Sequence, residues 1–141
     1  MNRLLAVLGL GAMVVTIASP AAASTCSDPV FENAALAALG QREKAIGEAY
    51  VENYVSAKAD AFVGWRTMIG GPMPCNSTLR YVRAHLIRNL GALWLSYAAM
   101  AAGDTTSGLA LLVAASKEAA LANGALSSLR PYASRRSPAG S

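Results

Sequence analysis

Two cysteines, Cys26 and Cys75, bracket a stretch that reads almost entirely as helix. From Pro29 to about Ile69 only Gly40, Gly47 and Gly64 interrupt the helical pattern. A straight helix of about forty residues would run about 60 Å. Cα atoms joined by a disulfide must lie within about 7 Å. If the cysteines pair within one chain, the segment between them has to double back. The sequence places the bend between Gly40 and Gly47, which leaves two legs of comparable length. Gly40 follows Ala-Leu-Ala-Ala-Leu in the manner of a helix C-cap, and Gly47 reads as a close-packing position.

Pairing is expected because the N-terminus reads as an export signal. Arg3 supplies a positive charge, Leu4 to Ile17 is apolar apart from glycine and Thr16, and Ser19-Pro20 precedes Ala21-Ala22-Ala23. A basic start, a short apolar core and an A-x-A site describe a secretory signal peptide. Residues 1–23 are therefore assigned to the signal, with Ser24 opening the mature chain in a secreted or periplasmic location. Lipidation at Cys26 is not expected, because Ala23 and Thr25 do not match the residues that lipidation signals place before the cysteine. In an oxidising compartment two cysteines pair, so a Cys26–Cys75 bridge is expected.

The remaining pattern is helical throughout, with no strand-like alternation and no internal repeat. Asp28 and Pro29 open a first helix, along which Leu36, Leu39, Ile46, Tyr50, Tyr54 and Ala57 recur near helical spacing. Gly70-Gly71-Pro72-Met73-Pro74 is a loop, after which Asn76, Ser77 or Thr78 caps the next helix. Leu79, Val82, Leu86, Leu90, Leu93, Tyr97 and Met100 then form the stripe of a helix that faces a bundle core. Gly103 ends it, and Asp104 or Thr105 caps a last helix with Leu109, Leu112, Ser116, Ala119, Asn123, Leu126 and Leu129 on one face and Pro131 at its end. The fold expected is all-α: a small antiparallel bundle of three to four helices over residues 24–131. Residues 132–141 read as a disordered basic tail.

Composition removes several kinds of chemistry. One histidine excludes metal centres that need two, and two cysteines are too few for a zinc cage. The Glu-x-x-His, His-Glu-x-x-His, Walker and Gly-x-Ser-x-Gly patterns are all missing. Neither a metal nor a cofactor is expected. The net charge of +4 is too small to argue for nucleic acid, and loss of Arg3 reduces it further. The nearly uncharged, Ala-rich stretch around Asp104 could pack as the bundle's central hairpin or serve as a homodimer surface. Each of its arms is too short to span a bilayer.

One polar cluster remains. Tyr81, His85 and Arg88 share a helix face, with Arg80 and Arg83 on a neighbouring strip. Arginines near a helix N-terminus oppose the helix dipole, which suggests acidic partners. An antiparallel preceding helix would bring Glu52 and Asp60 level with Arg83 to Arg88. The candidate ligand site is therefore Tyr81, Arg83, His85, Arg88 and Glu52, with no catalytic residue assigned. The main expectation is an exported, non-catalytic bundle that binds a protein partner or a small apolar or anionic ligand. The alternatives are a small exported enzyme that uses the Arg/His/Glu cluster on an anionic substrate, and a haem binder ligated through His85 or a tyrosine. Asn76-Ser77-Thr78 is a glycosylation sequon if the source is eukaryotic.

Overall fold

The structure is a computed structural model that describes residues 25–133, with side chains through Leu129. The signal-peptide reading and nearly all of the tail reading lie outside the described residues. Ser27 caps the first helix through its hydroxyl, which accepts the Val30 N–H. Asp28 reaches away from its own helix. Its carboxylate accepts the N–H groups of Cys75 (2.6 Å) and Asn76 (3.1 Å). The Cys26–Cys75 disulfide closes at the same point, with Cα atoms 4.9 Å apart. The start of the first helix is thus tied to the chain that leads into the third.

Four helices follow: α1 (Asp28–Tyr50), α2 (Tyr54–Gly70), α3 (Ser77–Ala101) and α4 (Thr105–Ala133). There is no strand among the described residues. Helix α4 continues to Ala133, just past the expected stop at Pro131 and within the usual scatter of helix ends. The helices alternate in direction, and each packs on the one before it.

The bend falls at Val51–Glu52–Asn53, later than the Gly40–Gly47 stretch, and α1 runs unbroken through both glycines. The hydrogen bonds explain the position. The Asn53 N–H returns to the Glu48 carbonyl (2.9 Å) and the Glu52 N–H to that of Ala49 (3.0 Å). This pair is a Schellman motif, which needs a left-handed residue at the position Glu52 occupies. Glu52 takes it at φ 60°. Asn53 then caps α2 by accepting from Ser56 N–H. The α3–α4 turn repeats the arrangement with its usual glycine. Gly103 has φ 86°, Asp104 N–H bonds Ala99 O (2.9 Å), and the Asp104 carboxylate accepts from Ser107 N–H.

The α3 stripe packs as its spacing requires. Leu79, Val82, Leu86, Leu90, Leu93 and Tyr97 are buried, with Met100 packed at the edge. Each fully buried leucine contributes about 1.5–3 kcal/mol relative to exposure. The outer helices differ from expectation. Helix α1 buries Phe31, Ala35, Ala38 and Ala45, while Leu36 is 67% exposed and Tyr50 91%. Helix α2 buries Ala57, Ala61, Gly64 and Met68. Helix α4 buries Gly108, Ala115 and Ala122 and leaves Leu109 55% exposed. Both stripes are rotated by about one residue because small side chains make the helix–helix contacts. A Cβ on Gly64 would stand 3.1 Å from the Ala38 carbonyl oxygen, and one on Gly108 only 2.6 Å from Met100 Cγ. Phe62, Trp65 and Trp94 close the outer α2–α3 seam, with ring centroids 5.0–5.8 Å apart.

Candidate functional site: a cleft between the first and last helices

In a closed four-helix bundle, the first and last helices pack on each other at about 8–10 Å between axes. Here no Cα of α1 comes within 8 Å of a Cα of α4 among the described residues. With alanines turned inward, the larger apolar residues are left on the two rims. Leu36, Leu39 and Ile46 of α1 face Leu109, Leu112, Leu126 and Leu129 of α4, with α3 as the floor. Near the disulfide end the cleft is almost purely apolar, about 290 Å³ lined by Leu36, Leu39, Val82, Leu86 and Leu126. Toward the α1–α2 turn it widens to about 400 Å³ and gains Arg42, Tyr54, Asn89, Tyr97 and Ser116.

A polar brace separates the two parts. Arg42 Nε donates to Asn89 Oδ1 (3.0 Å), and Asn89 Nδ2 donates to the Ala115 carbonyl (2.7 Å). Asn89 is 1% exposed, so both ends of its amide need partners, and they find them on α1 and α4. Beside it, His85 Nδ1 meets Glu118 Oε2 at 2.5 Å. A carboxylate accepts, so Nδ1 carries the hydrogen. A third link lies nearer the α3–α4 turn, where Ser96 Oγ donates to the Gly108 carbonyl.

The five residues expected to form a site do not converge. Tyr81 and His85 are neighbours, with ring centroids 4.1 Å apart, but the tyrosine is 46% exposed. Arg83 turns to the end of α2 and donates to the carbonyls of Ile69 (3.2 Å) and Gly71 (3.4 Å). Arg80 likewise donates to Pro74 O. An antiparallel neighbour sets its negative C-terminal end beside the N-terminus of α3, so Arg83 meets carbonyl oxygens where carboxylates were expected, while Arg80 turns back to the loop before its own helix. Arg88 is exposed. Glu52 lies in the α1–α2 turn, at the opposite end of the bundle from Tyr81 and Arg83. Asp60 pairs with Lys44 of α1 (3.0 Å) rather than with α3. His85 is committed to Glu118. Among the described residues no group of three or more His, Cys, Asp or Glu could hold a metal ion.

The sequence did carry a signal for the brace. Arg42 stands between Ala38 and Ala45, Asn89 between Leu86 and Leu93, and Glu118 between Ala115 and Ala122, each at inward-facing spacing. A polar residue therefore interrupts the inner stripes of α1, α3 and α4 near mid-helix. A polar residue on an inner face is more informative than an arginine on an outer one.

Helix α4 has a second property that its separate apolar arm does not show. Thr105–Leu129 is long and apolar enough to cross a membrane by length and composition. Lys117 and Glu118 fall in its middle, where burying a charge in hydrocarbon is costly. In the bundle, Glu118 instead meets His85.

The chain matches no protein-family model, no curated protein and no solved structure.

Proposed function

We propose that this chain is an exported, non-catalytic binding protein that holds a small, mainly apolar molecule in the α1–α4 cleft. The observation that carries the reading is the inversion of the outer helices, which turn alanines inward and leave leucines and isoleucine on the two facing rims. Apolar surface left in water costs about 25 cal/mol per Å², so a ligand that covers these rims gains free energy without any closure of the fold. The volume of the wider part lies within the usual range for small-molecule sites, about 300–1,000 Å³. The separation of Glu52 from Arg83 and His85 favours binding over the Arg/His/Glu enzyme alternative. Export through a cleaved signal over residues 1–23, to a secreted or periplasmic location, accords with the disulfide.

The test uses N-phenyl-1-naphthylamine, a neutral probe that fluoresces in apolar surroundings. The disulfide-bonded chain should brighten it. Ala49→Trp and Ser116→Trp, which place an indole in the cleft from opposite walls, should each weaken probe binding by about tenfold or more. No brightening with the wild-type chain, or undiminished binding in both variants, would refute the reading.

A further inference from the structure

Hydrogen-bond accounting in the wider part of the cleft shows donors without acceptors. Arg42 spends Nε on Asn89, and its Nη1 makes only a 3.4 Å contact with Glu43, whose side chain is 76% exposed. Nη2 has no acceptor among the described residues. Tyr97 is 3% exposed and lines the cleft, yet its hydroxyl has no hydrogen-bond partner among the described residues. Tyr54, packed against the same cluster, also lines the cleft with an unpartnered hydroxyl. Burial pushes the Tyr97 phenol above its ordinary 10.0, against the pull of the Arg42 charge and with a smaller push from Tyr54. Tyr97 therefore stays protonated at neutral pH and acts as a donor. These donors reach the water of the cleft and are free to meet a ligand there; the buried side-chain atom left wholly without a partner among the described residues is Arg83 Nε, at the other end of the bundle.

We infer that the ligand carries a carboxylate head, held by the Arg42 guanidinium together with the hydroxyls of Tyr97 and Tyr54, while its apolar chain lies along Ile46, Leu93 and Leu112. This rests on the apolar-cleft reading above and adds the identity of the polar end. The cleft wall carries one cationic side chain, Arg42, whose carboxylate contact is the long one to the exposed Glu43, and two neutral donors, so it suits a ligand with a single negative charge. Nη2 is open, and Nη1 is held only by its 3.4 Å contact with the exposed Glu43, so the guanidinium can meet a carboxylate through charge-assisted bonds, which are the stronger kind. A phosphate monoester would bring a second negative charge with no cation to meet it, which is expensive in a partly desolvated site.

The experiment displaces N-phenyl-1-naphthylamine from the disulfide-bonded chain with decanoate, 1-decanol and decyl phosphate, at a pH where decanoate is ionised. Decanoate should displace the probe at a concentration about tenfold or more below that of decanol, the worth of a hydrogen bond to a charged group. The decanoate-to-decanol preference should collapse in Arg42→Gln and shrink in Tyr97→Phe. The tyrosine variant is nearly isosteric and keeps the test meaningful if loss of the Arg42–Asn89 brace unfolds the arginine variant. Equal displacement by decanoate and decanol would overturn the carboxylate assignment and leave the apolar cleft standing. Decyl phosphate outcompeting decanoate would overturn it too. Failure of the probe to bind at all would remove the cleft reading itself.

Discussion

The position of the first bend can be tested by four substitutions whose expected signs differ. Gly40 and Gly47 lie inside α1, and a Cβ at either meets nothing within 4 Å. Alanine exceeds glycine in a helix interior by about 0.8–1.0 kcal/mol. The two sites are about two turns apart and share no neighbour, so their effects should add to about 2 kcal/mol. For a domain of this size that raises Tm by about 8 °C. Gly64→Ala should go the other way. Its Cβ would press on the Ala38 carbonyl oxygen and on Leu90 Cδ2, both at 3.1 Å. Overpacking of this kind costs about 1–3 kcal/mol, which exceeds the helix-propensity gain. Glu52→Gly relieves a left-handed residue, worth about 1–2 kcal/mol, offset in part by the greater freedom of glycine in the unfolded chain. Urea unfolding followed at 222 nm, together with calorimetric melting of the oxidised protein, reads all four changes. If Gly40→Ala or Gly47→Ala destabilises, α1 does break where the glycines stand, and the placement of the bend at Glu52 is wrong.

Two further outcomes follow from the staple and the buried phenol. Cys75→Ser opens a loop with a sequence separation of 49 residues and should cost about 2–4 kcal/mol; Cys26→Ser should match it, and equal melting of wild-type protein with and without reductant would contradict both. Because the Tyr97 phenol is raised above 10.0 by burial, the folded state holds that proton longer than the unfolded chain does. Its stabilising contribution is complete below pH 10 and is lost as pH rises through the raised value. Urea midpoints between about pH 9 and 11 should therefore fall more steeply for wild type than for Tyr97→Phe, and parallel profiles would refute the burial argument.

Some of this architecture was legible in the residues and some was not, for separable reasons. The α3 stripe was legible because large apolar side chains at 3-4 spacing leave one choice of inner face. The inner faces of α1 and α4 lie about one residue away from their leucine and isoleucine stripes. In these helices alanine and glycine mark the core, since close approach of two backbones excludes larger groups. The two tight turns carry the same hydrogen-bond pattern, yet only the Gly103 turn was evident. Glycine announces a left-handed position, whereas Glu52 occupies one without a compositional sign. The arginines of α3 suggested a site because their neighbour was unknown. Once α2 lies antiparallel beside them, the carbonyls at its end take Arg83 Nη2, while Arg83 Nε is buried without a partner.

The amino-acid sequence by itself determined the local and covalent features: an all-helical chain of three to four segments, the Gly-Pro loop, the inner face of α3, and two cysteines whose joining forces the chain to double back. These depend on residue spacing, propensity and the length of a bond, all of which act along the chain. Only the tertiary structure decided that α1 and α4 stay apart, that Arg42, Asn89 and Glu118 meet at mid-height, and that Tyr97 turns an unpaired hydroxyl into the gap. Those outcomes depend on how closely small residues let neighbouring helices approach, and that distance is set jointly by pairs of helices rather than by either one alone.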